Sequence, residues 1–174
     1  MQVRGRRLVP LFVATLIWGA GLAAPLSSAD AASGAAPSPC TSSQLAVHFG
    51  TSDSGAGTTF HRIRFRNTGS SACTLDGYPR LVFLNAAGDR IGFPAKHIRA
   101  DHQPVTIRPD RVGVAVLGIP SYQNFPRARC HPRRASQLAV RAPGTTGRHV
   151  LTLHVTVCTT KFGRSTSLPV KHRY

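Results

Sequence analysis

The side chains in this sequence that are equipped for chemistry are chiefly cysteine, histidine and arginine. Four cysteines, Cys40, Cys73, Cys130 and Cys158, follow an N-terminal segment with the marks of an export signal. In an oxidising compartment such thiols close into disulfides and are withdrawn from nucleophilic and metal chemistry. A redox-active pair would need closely spaced cysteines near a helix start, and there is no Cys-x-x-Cys here. His97, Asp101 and His102 form the one metal-like cluster, with ligand-compatible side chains in a loop between strands. Histidines isolated in a loop are more often solvated, and the only methionine is Met1, which counts against a thioether copper site. The expectation is therefore no metal and no cofactor. Catalytic signatures are missing too: there is no Gly-x-Ser-x-Gly elbow, no His-Glu-x-x-His and no phosphate loop opening a helix. No glutamate exists to serve as a general acid or base, and the aspartates sit mostly in turn contexts.

Charge points more clearly. The formal net charge is +16, and without the first 31 residues it is about +14, carried by nineteen cations against five aspartates. Sixteen of those nineteen are arginine, whose planar fork matches phosphate and carboxylate in bidentate fashion. Two groups stand out. Arg62, Arg64 and Arg66 make a stripe on one face of a strand, while Arg127, Arg129, Arg133 and Arg134 crowd around Cys130 on what reads as a loop. An arginine-rich composition can also reflect codon bias and solubility, with the stripe merely a wet sheet face. Taken as function, both groups predict a surface that binds polyanions. Nucleic acid is not the expected one, because the chain shows no zinc spacing, no aromatic RNP-like strand and no groove-entering helix, and its leader removes it from the genome. Phospholipid headgroups, wall polymers and acidic proteins of the envelope remain.

These side chains must be held by a small domain. Arg4, Arg6 and Arg7 form a positive n-region, Leu8 to Ala24 an apolar stretch, and Ala29-Asp30-Ala31 a small-x-small cleavage site, so residues 1–31 are expected to be a signal peptide. The apolar run is shorter than the ~20 residues a spanning helix needs, so no stable transmembrane span is expected. Residues 32–39 read as an Ala/Ser/Pro spacer and 40–174 as one secreted domain, expected to be a monomer. The pattern is nearly all period two. Leu45, Val47 and Phe49 alternate with polar or small neighbours; so do Ile63 and Phe65, Val105 and Ile107, Leu138 and Val140, and Leu151, Leu153, Val155 and Val157. The runs Leu81 to Leu84 and Val112 to Ile119 are apolar on both faces and belong mid-sheet or under a covering loop. Asn85 to Asp89 reads as a hairpin turn leading into Arg90. Such short, regularly spaced strands predict an all-β, antiparallel two-sheet sandwich.

One segment is more specific. Asn67-Thr68-Gly69 is followed by Cys73-Thr74-Leu75-Asp76-Gly77-Tyr78-Pro79, an apolar strand from Leu81 and a turn at Gly88. With the early Cys40 and the late Cys130 and Cys158, it resembles the secreted actinobacterial DUF4232 family. That resemblance implies an immunoglobulin-like β-sandwich and supplies no active site. Four cysteines allow three pairings, and the residues alone do not choose among them; chain order and the family pattern imply Cys40 with Cys73 and Cys130 with Cys158. Cys158 falls on the wet side of its strand, so its bridge is expected at a rim. Gly77-Tyr78-Pro79 is expected to form a structural corner with the tyrosine hydroxyl on backbone groups. The sequence thus predicts a non-catalytic binding domain contacting an anionic envelope component. The competing readings are a protein-interaction module, or a metal-binding or enzymatic domain centred on His97, Asp101 and His102.

Overall fold

The computed structural model describes residues 36–172. The leader expected over 1–31, and residues 32–35 of the expected spacer, lie outside that range. The strands are β1 (Leu45–Gly55), β2 (Thr58–Asn67), β3 (Cys73–Leu75), β4 (Arg80–Leu84), β5 (Arg90–Ile91), β6 (Lys96–His97), β7 (Val105–Ile107), β8 (Val112–Pro120), β9 (Pro132–Arg141), β10 (His149–Cys158) and β11 (Thr166–Ser167). The period-two segments supply β1, β2, β7, β9 and β10, and the runs apolar on both faces supply β4 and β8. A single helical turn, α1 (Arg127–Cys130), precedes β9. The strands assemble into a five-stranded sheet, β1-β2-β8-β11-β6, a four-stranded sheet, β10-β9-β4-β5, and the pair β3-β7. All strand pairings are antiparallel except that of β6 with β11.

One apolar cluster joins the two large sheets. Ile63 and Phe65 of β2 and Ala115, Leu117 and Ile119 of β8 share it with Leu81 and Phe83 of β4, Leu138 and Val140 of β9 and Val157 of β10. Burying a side chain of leucine or phenylalanine size contributes about 1.5–3 kcal/mol, so this shared layer fixes the sheets face to face. The chain is accordingly the all-β sandwich expected. The runs apolar on both faces occupy interior places: β8 lies between β2 and β11, and β4 between β9 and β5. Because side chains alternate along a strand, burying Ile63 and Phe65 turns Arg64 and Arg66 outward, and burying Leu81 and Phe83 turns out Arg80 and Val82.

Both disulfides are closed as chain order suggested, Cys40 with Cys73 and Cys130 with Cys158, and no free cysteine remains among the described residues. The first belongs to the shared cluster. The second lies outside it and ties α1 to the end of β10, but it is buried rather than on a wet face: Cys130 is 0% exposed and Cys158 9%. Two closed bridges are the chemistry of an oxidising compartment. No helix among the described residues is long and apolar enough to cross a membrane.

Two local expectations change. Ser38 and Pro39, assigned to the spacer, belong to the folded body: the Thr74 N–H donates to the Ser38 carbonyl (2.9 Å) and Pro39 bridges Thr74. The adjacent disulfide holds them there. The segment around Cys130 is not a loop throughout. Pro126 accepts from the Arg129 and Cys130 N–H groups, closing α1, and His131 at φ +46° ends it, after which Arg133 and Arg134 already stand on β9. Gly77 takes φ +94°, Pro79 is buried, and the Tyr78 hydroxyl donates to the Ile98 carbonyl (2.8 Å) and accepts from the Ala100 N–H (3.0 Å). This is the corner read from the sequence.

Candidate functional site

Three of the four arginines around Cys130 converge. Arg127, Arg133 and Arg134 line an open groove of about 790 Å³ together with Arg90 and His131. Three elements bring the four arginines to it: α1 carries Arg127, the start of β9 just after the left-handed His131 carries Arg133 and Arg134, and β5 carries Arg90. The frame is tightly bonded. The Thr159 N–H donates to the Cys130 carbonyl (3.0 Å), the Thr159 hydroxyl to the His131 carbonyl (2.9 Å) and the Thr160 hydroxyl to the Arg129 carbonyl (2.6 Å). On the opposite wall Gly92 adopts φ +61°, and a Cβ there would stand 2.8 Å from the Thr159 Cα. Only glycine lets the end of β5 approach that segment so closely.

The sole carboxylate in the lining is Asp89, and it is engaged. Its Oδ2 accepts from the Asn85 Nδ2 (3.0 Å), and its backbone N–H donates to the Asn85 Oδ1 (2.8 Å), an arrangement that closes the β4–β5 turn. Four arginines thus line one concavity beside a single carboxylate, and none of the four forms an ion pair with a carboxylate among the described residues. A concave surface of one sign concentrates counter-anions, and guanidinium forks bind phosphate and carboxylate oxygens in pairs. The fourth cluster member does something else. Arg129 lays its guanidinium 3.9 Å from the Phe162 ring centroid, and Phe162 meets Phe125 edge-on at 5.4 Å.

The arginine stripe on β2 is partly neutralised. Arg62 pairs with Asp53 and Arg66 with Asp110 (2.6 Å), while Arg64 has no carboxylate partner among the described residues and lies over Gly50. Exposed pairs of this kind add little stability, about 0–1 kcal/mol. Their consequence is electrostatic, since three cations share their surroundings with two carboxylates. His97, Asp101 and His102 do not come together. The His102 Nδ1 lies 2.9 Å from the Asp76 Oδ1, His97 stacks on the Tyr78 ring at 4.6 Å, and His102 meets that ring edge-on at 5.5 Å. Among the described residues no group of three or more His, Cys, Asp or Glu is placed to share a metal ion. His97 stands on β6, paired with Ser167 of β11, rather than in a loop, and both histidines pack on the Tyr78 ring.

Sequence reading missed a further set. Arg80, Arg90, Arg141 and Arg148 surround a recess of about 180 Å³ floored by Val82 and Ala139. They are dispersed along the chain, and only the pairing of β4 with β9 sets Arg80 opposite Arg141. The available hint was the alternation of Arg80 and Val82 with the buried Leu81 and Phe83. On the other sheet, burial holds the His61 imidazole below its ordinary value of 6.5.

A family model described as a domain of unknown function, DUF4232, matches residues 40–172. No curated protein and no solved structure matched the chain. The match takes in both disulfides, the Tyr78 corner and every strand from β1 to β11. On that extent, well over half of its length, the chain belongs to the DUF4232 family.

Proposed function

We propose that this domain is a non-catalytic binding module that acts outside the cytoplasm and holds an anionic component of the cell envelope in the groove formed by Arg90, Arg127, Arg133 and Arg134. The observation that carries this reading is the presence of four arginines in the lining of one groove that holds a single carboxylate, Asp89. Two closed disulfides and an export-type leader in the sequence support the location. Four of the polar side chains lining the groove are arginines, which supply hydrogen-bond donors and positive charge, the equipment for holding an anion. Binding of this kind weakens with salt, because exposed charges are screened within about 10 Å at 0.1 M ionic strength.

The test is retention of the protein on isolated cell wall and on phosphatidylglycerol vesicles at low and high salt. The triple variant Arg127→Glu/Arg133→Glu/Arg134→Glu is expected to lose retention at low salt, whereas Arg62→Glu/Arg64→Glu/Arg66→Glu keeps most of it. Equal loss in the two variants would assign binding to diffuse net charge, and no loss in either would remove the polyanion reading altogether.

A further inference from the structure

The outer face of the four-stranded sheet carries cations that the groove does not use. Arg80 on β4 lies directly opposite Arg141 on β9, and Arg148 sits one residue before the His149–Val140 pair of β10. The three thus form a row across neighbouring strands, with a pitch of about 4.8 Å set by the sheet itself. All three are exposed, and with Arg90 they surround a recess whose other lining residues, Val82 and Ala139, are uncharged. Like charges set directly opposite across strands destabilise a sheet. A bound anion relieves that repulsion. Arg90 lines both the recess and the large groove, so the two cationic sites are contiguous.

We infer that this sheet face is a track for a linear phosphate-bearing polymer, which runs from the groove past Arg90 onto the row Arg80, Arg141 and Arg148. The inference rests on the groove being an anion site and adds the length and class of its ligand. A compact headgroup or free phosphate would fill one site, whereas the shared arginine and the cross-strand row suit a chain with repeating charge. A membrane surface fits less well. Among the strands of this sheet, Val150 alone exposes a large apolar side chain, at 46%, so the face has no wedge to enter a bilayer. No phenylalanine, tyrosine or tryptophan lines either site and His131 is the single ring in the groove, so a run of nucleobases has no series of rings to stack on.

Titration calorimetry of the full chain with orthophosphate, tripolyphosphate and long-chain inorganic polyphosphate tests this. The long chain is expected to bind about a hundredfold more tightly than tripolyphosphate, because occupancy of the groove makes the row an intramolecular partner. The double variant Arg141→Gln/Arg148→Gln should lower long-chain affinity by about tenfold and leave tripolyphosphate affinity unchanged. It should also flatten the slope of log affinity against log salt by about 0.7 for each phosphate left without its arginine. Its melting midpoint, equal to that of the parent or higher, excludes unfolding as the cause. Unchanged long-chain affinity in the double variant, no gain with chain length, or tighter binding to phosphatidylglycerol vesicles at equal phosphate would each overturn the track. If Arg127→Gln/Arg133→Gln/Arg134→Gln leaves tripolyphosphate binding intact, the groove itself fails, a separate outcome.

Discussion

Asn67 is buried at 0% exposure, and every polar group of its side chain is used. Its Nδ2 donates to the carbonyls of Ser71 and Ile107, both at 2.8 Å, and its Oδ1 accepts from the Gly69 N–H at 2.9 Å. It thereby closes the turn after β2 and fastens it to β7. Replacement by alanine strands the buried Ile107 carbonyl, so Asn67→Ala is expected to cost roughly 2–3 kcal/mol in urea unfolding, about the effect of one unmet buried group plus the missing bonds. The Tyr78 hydroxyl plays the same part at the corner: Tyr78→Phe should cost about 1 kcal/mol and speed amide exchange at Ala100, whose N–H it accepts. His61 couples the fold to pH. Because burial lowers its folded value, the unfolded chain takes up a proton that the native state refuses as pH falls below 6.5. Its contribution to stability is complete above 6.5 and is lost as pH drops through the window between 6.5 and the lowered value. The urea midpoint is therefore expected to fall between about pH 7.5 and about pH 5.5, and His61→Gln should flatten that fall. These roles were unevenly legible. Asn67 and Tyr78 sit in a local motif, whereas the burial of His61 depends on the neighbouring strands β1 and β8, which chain position does not disclose.

Among the elements, the helical turn α1 owes its place to its surroundings rather than to helix propensity. Four residues give too few backbone bonds to be stable alone. Its hold comes from the Cys130–Cys158 bridge and from Thr159 and Thr160, which bond the carbonyls of Cys130, His131 and Arg129. Each disulfide closes a loop of about thirty residues, 33 and 28 by separation, so removing either should cost about 3 kcal/mol in the chain-entropy model. Their functional consequences should differ. Cys130→Ser/Cys158→Ser is expected to weaken tripolyphosphate binding at least tenfold, because Arg127 loses its platform, while Cys40→Ser/Cys73→Ser leaves it near the parent value; calorimetry at a temperature where both remain folded decides. The element reading from sequence was right about the long strands, left out the short β3, β6 and β11, and was wrong about this turn. Cys130 carries no periodic signal, and what shapes the segment is a covalent partner 28 residues downstream.

For the molecule as a whole, two bridges on a sandwich of this size supply an amount comparable to a domain's net stability, commonly about 5–15 kcal/mol. Full reduction is therefore expected to lower the melting midpoint by about 20 °C or more, readable by circular dichroism with and without reductant. The alternation of Leu45 to Phe49, of Ile63 with Phe65 and of Leu151 to Val157 was enough by itself to determine strands, inward faces, a two-sheet body and, with four cysteines behind an export-type leader, a disulfide-locked domain. That information is local: a side chain's face follows from its parity along the strand. Which arginines act together was decided only by tertiary structure. The contiguous stripe on β2 met acids from β1 and from the turn before β8, while Arg80, Arg90, Arg141 and Arg148, far apart in the chain, were gathered by strand pairing onto one face. Charge acts through space over several ångströms, and separation in space is set by sheet register rather than by distance along the sequence.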